Sequence, residues 1–288
     1  MLIIFVFVII PNESNESTLS PAVQNNVDTT TVGITNETES VCDTSIEPSE
    51  IYHDNDVIIS VQGYNADKNF ISIPFLIENN SNFNLGFNAR AYSVNRIMTG
   101  NNIYDMDCDV AAGKKANVEL KIKKDFLDNY NIDSIKSFDI LFWAYDNDES
   151  FKKFDTGQIA IHTNNYNESF DLISGKCIYD NKNVKIEYLS KIDNKYTYCI
   201  TNNTGDYFDF DVENITVNDY TSSDLDFDLI GVIVLNSCQA IFTINVSDEF
   251  IKLNNLDDIQ KIEFALNIRP LEDYSSDWST DMIVSEDF

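Results

Sequence analysis

Basic side chains are the scarcest charged class in this chain: 19 Lys and Arg stand against 48 Asp and Glu, a formal net charge of −29 at pH 7. A surface of that sign repels phosphate backbones and anionic lipid, which excludes nucleic acid as a partner and leaves a membrane reachable only through the N-terminal segment. Glycine is also thin, at 9 residues, and no Gly-rich phosphate loop is present. The only two histidines, His53 and His162, lie outside any Ser/His/Asp or Cys/His constellation and read as structural or surface residues. Five cysteines, Cys42, Cys108, Cys177, Cys199 and Cys238, make an odd count without CxxC spacing, which argues against a zinc site or a redox motif. Long amphipathic helical patterns are missing as well.

What the chain does contain is one pattern written twice. Asn79-Asn80-Ser81 returns as Asn202-Asn203-Thr204, Phe87 as Phe210, and Val94-Asn95 as Val217-Asn218, all at one constant offset. Ala116, Ile122, Phe126, Ile135, Phe154 and Thr156 then meet Ala240, Val246, Phe250, Ile259, Trp278 and Thr280 at an offset one residue larger. A repeat of roughly 110 residues is therefore the fold unit, with boundaries expected at 51–163 and 174–288 and a linker at 164–173 between them. No cysteine has a Cys counterpart in the other copy, so isolated thiols are expected, with Cys177 and Cys199 the one pair worth testing as a disulfide.

Both copies read as β structure. Ile71, Ile73, Phe75 and Ile77 alternate with other residues, as do Val118, Leu120 and Ile122, the period of two of a half-buried strand. About seven short strands per copy, bounded by Asn, Asp, Ser and Gly, give the spacing of a β-sandwich. Helical candidates are confined to short turns at Lys124 to Tyr130 and Asp248 to Leu253, each placed to cross from one sheet to the other. The chain, at 43% hydrophobic residues, has enough apolar side chains to close cores. The paired Asn-Asn-Ser and Asn-Asn-Thr segments read as tight turns, where Asn accepts positive φ and its side chain mimics a backbone bond.

The first fifth differs. Met1 to Ile10 is an unbroken apolar run, too short to span a bilayer, which needs about 20 residues, and of the right length for the hydrophobic part of a signal peptide. Because the first basic residue is Lys68, the positively charged start of such a signal is missing, and Met1 is expected to lie inside a longer signal or anchor. Residues 11–50 carry no basic residue and no periodicity, as expected of a disordered acidic tether with an r.m.s. reach of roughly 35 Å for about 40 residues.

Chemistry-bearing candidates are few. Asp105, Asp107 and Asp109, and again Asp224, Asp226 and Asp228, form Asp-x-Asp-x-Asp rows that place three carboxylates on one face of a strand, about 7 Å apart. Such rows repel themselves unless water, salt or calcium relieves them, and calcium is the one cofactor they would take, with Asp146, Asp148 and Glu149 as further oxygen donors. Trp143 and Tyr145, with Phe154 and Trp278 at matched positions of the two copies, are candidates for an aromatic ligand platform. No pattern assigns a catalytic residue. Paired carboxylates flanking a cleft would make a carbohydrate-active hydrolase the alternative, and the Asp rows a calcium-stabilised adhesin module.

With the Asn-Asn-Ser/Thr turn, the Val-Asn pair and the Ala112-Gly113-Lys114-Lys115-Ala116 segment in view, the chain resembles the tandem immunoglobulin-like β-sandwich repeats of unknown function in envelope proteins of clostridial Firmicutes, from about residue 50 to 288. The second copy departs from the pattern at Asn236-Ser237-Cys238-Gln239-Ala240. The resemblance implies two immunoglobulin-like sandwiches, export and envelope attachment, without catalytic residues. The expectation is a non-enzymatic protein at the cell surface, acting in adhesion, spacing or binding of a wall polymer, glycan or protein.

Overall fold

Alternation of buried and exposed side chains organises the strands. In β4 (Phe70–Asn79), Ile71, Ile73, Phe75 and Ile77 are fully buried while their neighbours are only half so, and each such side chain contributes roughly 1.5–3 kcal/mol by leaving water. The computed structural model describes residues 43–54, 56–99, 106–148, 151–221, 226–227, 231–271 and 277–286. Before β4 come β1 (Ser49–Asp54), β2 (Val57–Val61) and the two-residue β3 (Asn65–Ala66). After it follow β5 (Leu85–Val94), β6 (Ile97–Met98), β7 (Asp107–Val110) and β8 (Lys114–Lys123). Helix α1 (Lys124–Asn129) then leads to β9 (Ser137–Asp146) and β10 (Phe151–His162).

The second copy repeats this order. It runs through β11 (Lys176–Asp180), β12 (Val184–Ile192), β13 (Lys195–Asn202) and β14 (Phe208–Val217). The short β15 (Tyr220–Thr221), β16 (Asp226–Phe227) and β17 (Val232–Val234) precede β18 (Gln239–Asn245). Helix α2 (Asp248–Leu253), β19 (Lys261–Pro270), β20 (Trp278–Ser279) and β21 (Ile283–Glu286) complete it. The architecture is all-β apart from the two short helices, which occupy the segments the sequence marks for them and connect strands of different sheets.

Three sheets result. In the first, β4 lies between β2 and β8, with β1 beyond β2. The second has ten strands: β10, β9, β5 and β6 of the first copy continue into β18, β13, β12 and β11 of the second. The junction is a single parallel bridge, Gln239 opposite Ile97, where the Gln239 N–H donates to the Arg96 carbonyl at 2.7 Å. The third sheet is built on β14 and β19. One core packs between the first sheet and the β5–β9 half of the second around Phe75, Phe87, Phe138 and Phe142. Another packs between the rest of the second sheet and the third around Tyr198, Phe210, Phe242 and Phe264.

The repeat is legible bond by bond. Asn79 Nδ2 donates to the carbonyls of Phe83 and Val110, and Asn202 Nδ2 to those of Asp206 and Val234, while each Asn Oδ1 accepts the N–H two residues on. Both asparagines are fully buried, so each ties a turn to a neighbouring strand as well as capping it. Asn95-Arg96 and Asn218-Asp219 both take positive φ in two-residue hairpin turns, the geometry that matches strand twist. Thr156 and Thr280 each offer Oγ1 to the N–H of a neighbouring strand, at Phe142 and Leu266.

Residues 43–50, expected within a disordered tether, are in contact with the fold. Thr44 and Ile46 are buried, and Asn164 clamps this segment by accepting from Ser45 N and donating to the Asp43 carbonyl. Residues 1–42, including the apolar run and Cys42, lie outside the described residues. Segment 164–173 is bonded to both copies: Lys136 Nζ donates to the Ser169 carbonyl, Arg96 lies over the Phe170 ring, and Ile173 exchanges two bonds with Gln239. No helix among the described residues is long and apolar enough to cross a membrane.

Candidate functional site

The polar residues that gather most closely lie where the second copy meets the outer face of β5 and β9. Alternation turns Phe87, Tyr92, Phe138, Ile140 and Phe142 inward and leaves Ser93, Asp139, Leu141 and Trp143 facing out. The second copy covers that face. Ser93 Oγ donates to Asp139 Oδ2 at 3.1 Å, and the Sγ of Cys238 sits 3.6 Å from Ser93 Oγ and 3.9 Å from Asp139 Oδ2. Gln158 Nε2 donates to Asp139 Oδ1 and to the Asn236 carbonyl, while Asn236 N–H returns a bond of 2.8 Å to Gln158 Oε1. Burial raises the Cys238 thiol well above its usual range, with the Asp139 carboxylate adding to the effect.

A second polar group extends this seam. Tyr207 OH donates to Asp155 Oδ1 at 2.8 Å, and Arg90 lies 4.7 Å over the Trp143 ring. Arg269 pairs with Asp209 at 3.2 Å and with Asp211. Burial lifts the Asp209 carboxyl above its ordinary value, and Arg269 opposes part of that rise. Asn88, Arg90, Asp209, Asn267 and Arg269 each hold one buried polar atom without a hydrogen-bond partner among the described residues.

Of the residues marked in the sequence, Asp107 and Asp109 are exposed on β7, with Cys108 between them. Each carboxylate is already engaged: Tyr145 OH donates to Asp107 Oδ1 at 3.1 Å and Asn147 Nδ2 to Asp109 Oδ1 at 2.7 Å. Gly86, opposite both Asp109 and Tyr145, makes this crossing possible, because a Cβ there would meet Tyr145 Cζ at 2.3 Å and Asn147 Oδ1 at 2.6 Å. Burial and the Asp107 bond push the Tyr145 hydroxyl up to about 12, and burial pushes the Cys108 thiol to about 12. Asp146 is buried and accepts from Asp148 N–H. Asp105, Asp224, Asp228 and Glu149 lie outside the described residues, and Asp226 is described only as part of β16. Among the described residues no three His, Cys, Asp or Glu side chains converge to hold a metal ion.

The aromatic candidates are distributed. Trp143 is half-buried in the seam beneath Arg90, Tyr145 lies over Gly86, and Trp278 on β20 packs against the second core opposite Ile268. His53 meets Glu50 at 3.2 Å, and His162 stacks on Tyr166 at 3.6 Å. Cys177 and Cys199 both face Glu187 from opposite sides on three adjacent strands, about 9–10 Å apart by strand spacing, too far for a disulfide; both are free thiols. A groove of 580 Å³ beside α1 is lined by Phe70, Lys121, Phe126 and Tyr130, with Asp125 the one carboxyl among the described residues that line it. Apart from Trp143, the seam residues were not marked as a site in the sequence, although the departure of 236–240 from the first copy's 112–116 falls on Asn236 and Cys238.

No protein-family model matches this chain, and no curated protein matches it. Among solved structures it is similar to a conserved domain protein from Bacillus anthracis, at 12% identity and a TM-score of 0.26, covering 88% of this chain and 93% of that one. An exo-chitosanase from Amycolatopsis orientalis is similar at 12% identity and a TM-score of 0.26, over 83% of this chain and 26% of that one. A red sea bream transglutaminase is similar at 8% identity and a TM-score of 0.23, over 81% of this chain and 31% of that one.

Proposed function

We propose that this chain is a non-enzymatic, exported protein of two immunoglobulin-like sandwiches, held at the cell envelope through its N-terminal segment and working in adhesion, spacing or ligand binding. The observation that carries the reading is the seam. Ser93, Asp139, Gln158, Asn236 and Cys238 spend their polar atoms on one another and fix one copy against the next, which suits a spacer that must hold its geometry under load. The pairing of β4 with β8, and of β9 with both β5 and β10, supports the immunoglobulin-like arrangement. The likeness to clostridial envelope repeats supports export, and the apolar start of the sequence supports attachment.

The test is protease shaving of intact producing cells, with mass spectrometry of released peptides and a cytoplasmic protein as lysis control. Peptides from the region Tyr52 to Phe288 without the control are the expected result. Their appearance only after lysis overturns the reading.

A further inference from the structure

The seam uses one surface from each copy, and each copy also carries the counterpart that the seam does not use. The second copy contributes its β17–β18 turn, Asn236 to Gln239, and the first contributes the outer face of β5, β9 and β10. The first copy's own equivalent turn is the segment Ala112 to Lys115, whose Gly113, Lys114 and Lys115 are exposed. The second copy's own equivalent face holds Thr216, Glu263, Met282 and Val284.

That face reproduces the docking surface in detail. Ser93 is registered opposite Asp139, and Thr216 opposite Glu263. Thr216 Oγ1 bonds Glu263 Oε2 at 3.0 Å, as Ser93 Oγ bonds Asp139 Oδ2. Asp219 stands where Arg96 stands, in the same positive-φ turn, and Tyr220 stands where Ile97 bridges to Gln239. Val284 pairs beside Glu263, and Met282, Val284 and Tyr220 are exposed apolar side chains around it. Lys261, bonded to Asp219 and Glu263, is the cation described beside Glu263, with Glu213 and Asp219 as further carboxylates; Arg269, farther along β19, is taken up by Asp209 and Asp211.

The substitutions at the matched positions are complementary in charge. Lys114 occupies the place of Cys238, whose partner is Asp139, and the place of Asp139 is taken by Glu263. Lys115, paired on its own copy with Glu78 at 2.7 Å, occupies the place of Gln239, whose N–H meets the carbonyl of the residue that Asp219 replaces. A thiol beside a carboxylate inside the molecule thus has, on the two unused surfaces, an ammonium and a carboxylate.

We propose that the Ala112–Lys115 turn of one molecule docks on the Thr216–Glu263 face of a second copy of this chain, repeating between molecules the contact that joins the two halves within one. The contact is heterologous, so it extends head to tail and does not close at a dimer. It stands apart from the compartment reading and holds wherever the protein acts.

Sedimentation velocity of the full chain tests this, from roughly 10 μM to 1 mM, in about 0.15 M salt where screening over about 8 Å damps the repulsion between two strongly acidic molecules. The expected result is a sedimentation coefficient that rises with concentration past the dimer, retained in Lys114→Arg. Lys114→Glu and Glu263→Lys should each sediment as monomers, and an equimolar mixture of the two should associate again. Should Glu263→Lys disturb the fold, Met282→Glu on the exposed edge replaces it as the face variant. A wild type that stays monomeric throughout, association that stops at a dimer, or association unmoved by Lys114→Glu overturns the proposal.

Discussion

Cys238 of the second copy places its sulfur 3.9 Å from the Asp139 carboxylate of the first, inside a seam where both residues are more than nine-tenths buried. A carboxylate so placed costs free energy unless its oxygens are bonded, and here Ser93 and Gln158 supply the donors.

Gln158, itself half-buried, thus bonds across the two copies. Its replacement by Ala removes the reciprocal pair with Asn236 and one donor to Asp139. Urea unfolding should show a loss of about 1–3 kcal/mol, the cost of leaving buried polar groups unbonded. A loss below about 0.5 kcal/mol would mean that water replaces the amide without penalty.

The four described thiols differ in environment, and their chemistry should follow. Burial pushes Cys108 and Cys199 to about 12, so at pH 8 only about one part in 10⁴ is thiolate, and Cys238 is also raised. Cys177 is exposed. Iodoacetamide applied to the native protein should label Cys177 first, and denaturant should be needed for Cys199 and Cys238, as read by peptide mass spectrometry.

Gly86 keeps the path of the Tyr145 ring clear. A methyl group at Gly86 forces the ring off Asp107 and costs about 1–3 kcal/mol by overpacking. In the Tyr145→Ala background the same Gly86→Ala change should cost markedly less, because the clashing ring is gone and only the Asn147 contact remains. Equal costs in the two backgrounds would show that the strain resides in the backbone.

The acidic row on β7 carries its own relief in the Tyr145 and Asn147 donors. The melting temperature is therefore expected to be the same in EDTA and in millimolar calcium. A calcium site at 100 times its dissociation constant would add about 2.7 kcal/mol, which in a protein this size raises the midpoint by several degrees; a rise of that size would point to the Asp rows as a metal centre.

Much of the framework was readable from local pattern. The alternation of Ile71 to Ile77 set one strand and its core face, and the repeated Asn79 and Asn202 marked two turns whose bonding proved identical. The two short helices were legible because their apolar residues sit between a strand and an acidic turn, as Phe250 does behind the Ser247 cap. The environment of Trp143 was not legible: alternation places it on an outer face, and only the arrival of the second copy covers that face. The seam joins residues 78 to 145 positions apart in unlike pairs, and no periodicity records such a contact. What did register was a mismatch, Cys238 and Gln239 in place of two lysines, whose meaning depends on which neighbour each turn meets.

The one-sided construction of the seam also sets an order in time. Apart from the Gln239–Ile97 bridge, the strand pairs described for the first copy are made from its own residues, all of which leave the ribosome before Asn236 does. At 5–20 residues per second, Asp139 waits roughly 5–20 s and Ser93 roughly 7–29 s for their cover. During synthesis the nascent chain thus presents a wetted serine–aspartate pair beside Leu141 and Trp143, and the arrival of a single turn of the second copy dries it.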